Sequence, residues 1–440
     1  MNLRGATLSL LDEYELCGKY VNLSLSSHRL DGLSREERAL LTALFYTAVE
    51  NKLTYDYYIS AAAKRPTREI DIHTLNLLRL GCAQILGMDK IPDHTAVNET
   101  VKLGSNKGER GFVNAVLRTL IRWRDANSLP LPERERNLAR HLSVKYSFPV
   151  AIVRHFISLY GEADAEALLR TFNTEKYTDL TVNTLKADRE ALLSRLCAEG
   201  ISAAKSPYSQ YSLRLFGSYS PTLLHGFAEG EFFVQDASCA VSAEVLSPVS
   251  GEEILDLCAA PGGKSFAVAV ISRDGAKILS LDLHESKLSL ISDGAARLGL
   301  RSISVEQNDA TLPRVEFFEK FDRIICDVPC SGLGVLGKKA DLRYNAEGAM
   351  EHLPQLQYKI LSVAAKYLKR GGTLVYSTCT LNPNENESNV RRFLAEESDF
   401  STEDFSVGEL RSADGMLTLL PHIHHTDGFF IAKLVKKPRG

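Results

Sequence analysis

The sequence predicts an α/β protein: a doubly wound, mostly parallel sheet in the back half, an all-helical domain in front, and a small α+β subdomain between them. Three patterns carry that prediction. From about residue 231 short apolar strands alternate with helices, residues 1 to about 126 show helical spacing of apolar side chains, and residues 133–230 mix the two. The expected domains are therefore 1–130, 131–230 and 231–440.

In the front domain Leu8, Leu11 and Leu16 recur at near-helical spacing, and Leu40, Leu41, Leu44, Phe45 and Val49 form one stripe between Arg35 and Lys52. A further apolar helix runs through Leu75, Leu77, Leu78, Leu80, Ile85 and Leu86 and is broken by Ile91-Pro92-Asp93. Helices restart at Thr95–Leu103 and, after Gly108-Glu109-Arg110-Gly111, at Phe112–Trp123. Asn127 to Pro132, with two prolines, reads as a linker. In the middle, Leu180–Val182 and Tyr211–Leu215 read as strands and Arg189–Glu199 as a helix.

The back half begins its alternation with the strand Glu253–Leu257, a glycine-rich turn and the helix Lys264–Ile271. Strand Lys277–Leu283, helix Glu285–Leu298 and strand Ser302–Glu306 follow. Strand Phe321–Asp327 leads into Pro329-Cys330, and after a helix over Met350–Leu368 the strand Thr373–Ser377 ends the series. Right-handed crossovers put the C-terminal ends of such strands on one edge, where ligands bind.

Composition excludes several classes. A hydrophobic fraction of 44% with 24% charged residues is that of a globular protein, and no apolar run approaches the roughly 18 residues of a membrane span. No signal-like N-terminus is apparent, so a cytoplasmic monomer is expected. The eight cysteines form no CxxC pair and have no zinc spacing with histidine, so no metal is expected, the trio His422, His424 and His425 included. About five of the eight should be free, buried thiols. The net charge of -3 hides an asymmetry: residues 1–145 carry 21 Lys and Arg against 17 Asp and Glu, leaving 31 against 38 for the rest. A basic front points weakly to a polyanion, with Lys64, Arg65, Arg68, Arg118, Arg122 and Arg124 as candidate phosphate contacts.

Chemistry concentrates at five strand ends. Asp256-Leu257-Cys258-Ala259-Ala260-Pro261-Gly262-Gly263-Lys264 places two glycines between a strand and a helix, which lets a ligand approach the backbone and the helix N-terminus. It is neither GxGxxG nor a P-loop. Asp282 ends the next strand, where a carboxylate suits ribose hydroxyls, and Asp309 follows the third, where it could accept from an adenine amino group. Asp327-Val328-Pro329-Cys330 and Tyr376-Ser377-Thr378-Cys379-Thr380 end the fourth and fifth strands, so the two cysteines should lie about one strand spacing apart or slightly more, near Asp327. A thiolate that adds to C6 of cytosine makes C5 nucleophilic enough to take a methyl group from a sulfonium, and a base must then remove the C5 proton.

The segments DLCAAPGGK, DVPCSG and YSTCT, followed by Asn384-Glu385-Asn386-Glu387, resemble the RNA cytosine-5 methyltransferases of the NOL1/NOP2/Sun family. The resemblance covers about residues 231–440 and includes Phe233–Ser238 and Asp427–Ala432. The helical front resembles the NusB-like RNA-binding domain. Together these imply a Rossmann-like methyltransferase domain that uses S-adenosylmethionine on 16S ribosomal RNA, with cytosine 967 as the implied target. They also imply roles: Cys258, Ala259, Ala260, Pro261, Gly262, Gly263 and Lys264 form the cofactor loop, Asp282 holds the ribose, Asp309 lies by the adenine, and Asp327 lies by the methionine end and the target base. Cys379 becomes the nucleophile and Cys330 the group that assists release. One departure stands out: where relatives often carry an Arg-Arg-His/Lys-Pro-Asp run, this chain reads Gly337-Lys338-Lys339-Ala340-Asp341, which keeps basic charge for phosphate but lacks the proline. The alternatives are a transfer RNA substrate, or a NusB-like binding factor with a silent back half.

Overall fold

The computed structural model describes residues 2–17, 32–174, 177–217 and 219–438. The part of the expected helical front that falls on 18–31 lies outside the described residues. The chain divides into two compact units, one made of residues 1–173 with 338–345, the other of 174–337 with 346–440.

The first unit is helical. Helices α1 (Leu3–Cys17), α2 (Arg35–Glu50), α3 (Lys52–Ala63), α4 (Ile72–Gly87), α5 (Asp93–Lys102) and α6 (Lys107–Asp125) pack around one apolar cluster. Their starts follow from capping. Ser34 and Glu37 form a reciprocal capping box at α2, and Asp71 and Asn106 accept backbone N–H groups at α4 and α6. The middle of α4 is buried all round, from Thr74 to Ile85, and Trp123 packs against the same cluster. Two more helices, α7 (Leu138–Tyr146) and α8 (Val150–Thr174), lie beyond the proline-rich stretch, and Gly161 interrupts the second at φ +77°.

Residues 338–345 belong to this unit, where the basic segment after the Pro-Cys motif was read as a phosphate contact. Ala340 is buried in the helical cluster. The Arg343 guanidinium, 1% exposed, donates to the Glu50 carbonyl at 3.1 Å and to Asn173 Oδ1 at 2.8 Å and lies over the Phe148 ring. Tyr344 donates to the Val49 carbonyl at 2.7 Å.

The second unit holds two sheets. Strands β1 (Tyr177–Val182), β2 (Ala203–Lys205), β3 (Ser212–Phe216) and β4 (Phe232–Val234) form an antiparallel sheet in the order β2-β3-β1-β4, backed by helix α9 (Arg189–Ala198) through Leu192 and Leu196. This is the expected α+β subdomain. The large sheet contains β5 (Glu253–Asp256), β6 (Lys277–Asp282), β7 (Ile303–Gln307), β8 (Phe321–Asp327) and β9 (Leu368–Thr378), ordered β9-β8-β5-β6-β7 and all parallel. The parallel strands read as apolar runs because both faces are covered by side chains of two clusters.

Three antiparallel strands extend the β9 edge. Phe429–Lys436 pairs with β9, and Phe400–Thr402 and Met416–Leu419 pair with it in turn. The strand order reverses direction between β5 and β8, which makes the C-terminal ends of those two strands the topological switch point. No helix among the described residues is long and apolar enough to cross a membrane.

Candidate active site

The loop after β5 is tied down before any ligand arrives. Ala259 N–H donates to the Leu281 carbonyl at 2.8 Å, and Ala260 N–H donates to Asp282 Oδ2 at 3.1 Å. The Ala260–Pro261 peptide is cis. Gly262 sits at φ +109°, and a Cβ there would lie 2.6 Å from the Phe266 ring, so only glycine fits. The helix α11, labelled in order after α10 (Ala237–Leu246), then starts at Gly263 and runs to Ile271. Its free N–H groups face the loop, the arrangement suited to a carboxylate.

Asp282 does two jobs at the end of β6. Its Oδ2 holds the loop, its Oδ1 accepts from His284 N–H at 3.0 Å, and the carboxylate keeps lone pairs for ribose hydroxyls. Asp309 uses Oδ1 for the Thr311 N–H and hydroxyl, at 2.8 and 2.7 Å, and those bonds hold its carboxyl below the usual range. These bonds fix the carboxylate at the turn after β7. Beside it, the buried Asn308 Nδ2 has no hydrogen-bond partner, and Leu283 is exposed. An unsatisfied amide donor and an apolar side chain next to a carboxylate fit an adenine ring with its ring nitrogens and amino group. The donor set along β5, β6 and β7 therefore fits an adenosyl cofactor.

Lys264, the last residue of the loop motif, faces the other way. Its Nζ lies 2.6 Å from Asp327 Oδ2 and 3.6 Å from Cys239 Sγ. Burial penalises the ammonium, but Asp327 and its neighbours outweigh that and hold it above its usual range. Asp327 Oδ1 accepts from Ser377 Oγ at 2.9 Å across the β8–β9 register. A carboxylate locked between a lysine and a serine has one fixed orientation.

Cys330 and Cys379 follow β8 and β9. The expected separation was a strand spacing or slightly more. The side chains close that distance, with the sulfurs 3.2 Å apart. The Cys379 sulfur beside it, together with burial, pushes the Cys330 thiol well above its ordinary range. The remaining described cysteines differ: burial raises Cys82, Cys239, Cys258 and Cys326, Cys239 to about 12, while Cys197 is exposed rather than buried. Inert thiols of that kind do not attack a base.

Under the pair lies a buried polar cluster that sequence reasoning quoted as a motif but gave no role. Glu385, fully buried, accepts from Ser331 N–H at 2.9 Å, Ser331 Oγ at 2.5 Å, Gln357 Nε2 at 2.8 Å and Asn382 Nδ2 at 3.0 Å. Asn386 joins Thr378 and Thr380, on either side of Cys379. Close backbone approach completes the frame. Gly334 N–H donates to the Cys379 carbonyl at 3.0 Å, and a Cβ on Gly334 would overlap Gly428.

Among the other candidates, Arg124 is bound to both oxygens of Asp93 and to the Ile85 carbonyl, and Arg65 lies over the Phe112 ring. Arg118 and Arg122 bond to side chains one turn back on α6. Among the described residues no group of three or more His, Cys, Asp or Glu is placed to hold a metal ion. A cavity of about 640 Å³ lined by Arg189, Tyr211, Glu244 and Ile271 lies beside the chain entering β5, away from the two cysteines.

Three family models match the chain. Residues 243–435 match 16S rRNA methyltransferase RsmB/F, residues 1–122 match the NusB family, and residues 148–220 match a ferredoxin-like domain of the RsmF/B-like methyltransferases. The "Probable ribosomal RNA small subunit methyltransferase B" of Bacillus subtilis (strain 168) is 37% identical, over 99% of each chain. The "Ribosomal RNA small subunit methyltransferase B" of Klebsiella pneumoniae is 32% identical, over 92% of this chain and 91% of that one. Among solved structures, PH0851 superposes with a TM-score of 0.79 at 25% identity over 99% of both chains. NSun6 from Pyrococcus horikoshii shares the fold, with a TM-score of 0.61 at 24% identity over 67% of this chain and 100% of that one.

Proposed function

The chain belongs to the ribosomal RNA small subunit methyltransferase B family, and from that premise we propose that it methylates C5 of a cytosine in 16S rRNA, at position 967, with S-adenosylmethionine as donor. The observation that carries the reading is the Cys330–Cys379 pair at the C-terminal ends of β8 and β9, with sulfurs 3.2 Å apart and Asp327 at its side.

When bound, S-adenosylmethionine supplies an electrophilic methyl group. Gly262, Gly263 and Asp282 would hold its loop-side and ribose groups, and Asn308 and Asp309 would meet the adenine. Cys379, as thiolate, adds to C6 of the cytosine, and the C5–C6 electron pair moves onto C5 and the ring. C5 then takes the methyl group as the methyl–sulfonium bond breaks, its electron pair staying on the sulfur of the departing S-adenosylhomocysteine, which leaves a saturated C5 carrying both methyl and hydrogen. A base removes that hydrogen as a proton, its electron pair forms the C5–C6 double bond, and the C6–S bond breaks to return Cys379 as thiolate. Cys330 sits against Cys379, with its sulfur 3.2 Å away, which places it to assist the proton transfer at release. A cytosine must leave its stack for its C6 to be reached, as in other enzymes that act on a base.

The direct check is transfer of labelled methyl groups to unmethylated 16S rRNA by wild type and Cys379→Ala, with the product nucleoside identified after digestion. Wild type should yield 5-methylcytosine, and the variant should lose about three orders of magnitude or more in rate while binding cofactor as before. A variant that still forms 5-methylcytosine would remove Cys379 from the role.

A further inference from the structure

The two cysteines are held in place by different means. Cys379 continues β9, which is paired with β8 on one side and with the strand Phe429–Lys436 on the other, so sheet hydrogen bonds carry its position. Cys330 has less of that support: it lies in the loop three residues past β8, between a bond from Val328 N–H to the Ser377 carbonyl (3.1 Å) and one from Gly334 N–H to the Cys379 carbonyl (3.0 Å). What further grips that loop is side-chain chemistry on both flanks. On one side, Gln357 Nε2 donates to the Pro329 carbonyl at 2.8 Å, and on the other, Ser331 gives both its N–H and its hydroxyl to Glu385. Gln357 also donates to Glu385, and its own Oε1 accepts from Asn389 at 3.2 Å, which fixes the amide's orientation. The Glu385 carbonyl accepts from Tyr376 at 2.6 Å, anchoring the residue to β9 itself.

We propose that Glu385 is a positioning residue for release: its carboxylate, through Ser331 and Gln357, sets where Cys330 stands against Cys379. The inference rests on the two-cysteine reading above. Such a carboxylate accepts from four neutral donors and has no cation within its cluster, so a neutral amide in its place would present N–H to N–H at one or more contacts. Loosening the Pro-Cys loop moves Cys330 while the sheet still holds Cys379. Attack on C6 therefore survives, and removal of the C5 proton with departure of Cys379 is what slows. A residue with a merely structural role would lower attack and release together.

The test uses the full chain with S-adenosylmethionine and unmethylated 16S rRNA, scored on denaturing gels for the covalent protein–RNA adduct. Cys330→Ala serves as the reference: if it traps no adduct, the two-cysteine reading itself fails, whatever Glu385 does. Given that adduct, Glu385→Gln should accumulate it at least about tenfold above wild type, with its rate of formation and its cofactor affinity little changed. Glu385→Asp, which restores the charge, should recover part of the release rate. Ser331→Ala deletes a single donor and keeps the test alive if Glu385→Gln does not fold; it should shift the adduct in the same direction by a smaller factor. Adduct formation and turnover falling in parallel in Glu385→Gln, or a Ser331→Ala protein that releases like wild type, would overturn the proposal.

Discussion

Two buried polar clusters, one in each unit, are built on opposite principles. In the helical unit a cation sits at the centre. Arg79, 4% exposed, binds both Asp56 oxygens at 2.7 Å and reaches Asn76 at 2.9 Å and Glu15 at 3.2 Å, so it ties α4 to α3 and α1. Under the cysteines an anion sits at the centre, and Glu385 is met by neutral donors from loops and from the helix Leu342–Tyr367. The first cluster joins regular elements that pack anyway, so it serves the fold. The second joins the loop after β8 to the turn after Cys379, beyond the paired strands, so it serves the placement of a reacting group. Buried charge is costly, and each cluster offsets that cost with several hydrogen bonds to the charged group.

The comparison can be broken most forcefully at Arg79. Arg79→Ala leaves Asp56 and Glu15 without their shared cation and should cost about 3–5 kcal/mol of stability. Urea unfolding followed by circular dichroism measures it, and methyl transfer per folded molecule should stay near wild type. A loss below about 1 kcal/mol would mean that the cluster does not hold the helices together.

A smaller effect sharpens the contrast within the second unit. Asp256 is buried beneath the cofactor loop, takes one hydrogen bond from Ser265, and burial pushes its carboxyl up to about 7. The folded state therefore holds a proton there that the unfolded chain gives up near its ordinary carboxylate range. Stability is then lost as pH rises from about 4 to about 7. Glu244, raised to about 7 by burial, adds to the same slope. Asp256→Asn should flatten that part of the profile and gain about 2 kcal/mol at pH 8 relative to wild type. Urea midpoints at pH 5 and pH 8 read it out, and an unchanged slope would contradict the assignment.

Much of this was legible in the sequence, for identifiable reasons. Apolar strands ending in glycine turns or acidic residues placed β5, β6 and β8 to within a residue or two, because parallel strands covered on both faces have a simple pattern. The family expectation stands for the same reason: its motifs are short, local and ordered along the chain. What escaped depends on contacts between distant residues. In the basic segment after the Pro-Cys motif Lys338 and Lys339 are exposed, but no local pattern shows that Ala340, and Arg343 and Tyr344 beyond it, pack with the helices, the last two through partners more than 160 residues away in sequence. The sulfur separation came out shorter than strand spacing alone suggests, since loop direction is not written in strand register. Glu385 was quoted within a motif, but its donors come from residues 331, 357 and 382, and nothing local announces that they meet.

The central claim, that the pair of cysteines divides attack and release between them, is tested most directly by comparing Cys330→Ala with the double variant Cys330→Ala/Cys379→Ala. Each is mixed with S-adenosylmethionine and unmethylated 16S rRNA and resolved on a denaturing gel. The account predicts a stable protein–RNA adduct in the single variant and none in the double. An adduct that persists without Cys379, or one trapped by Cys379→Ala alone, would contradict it.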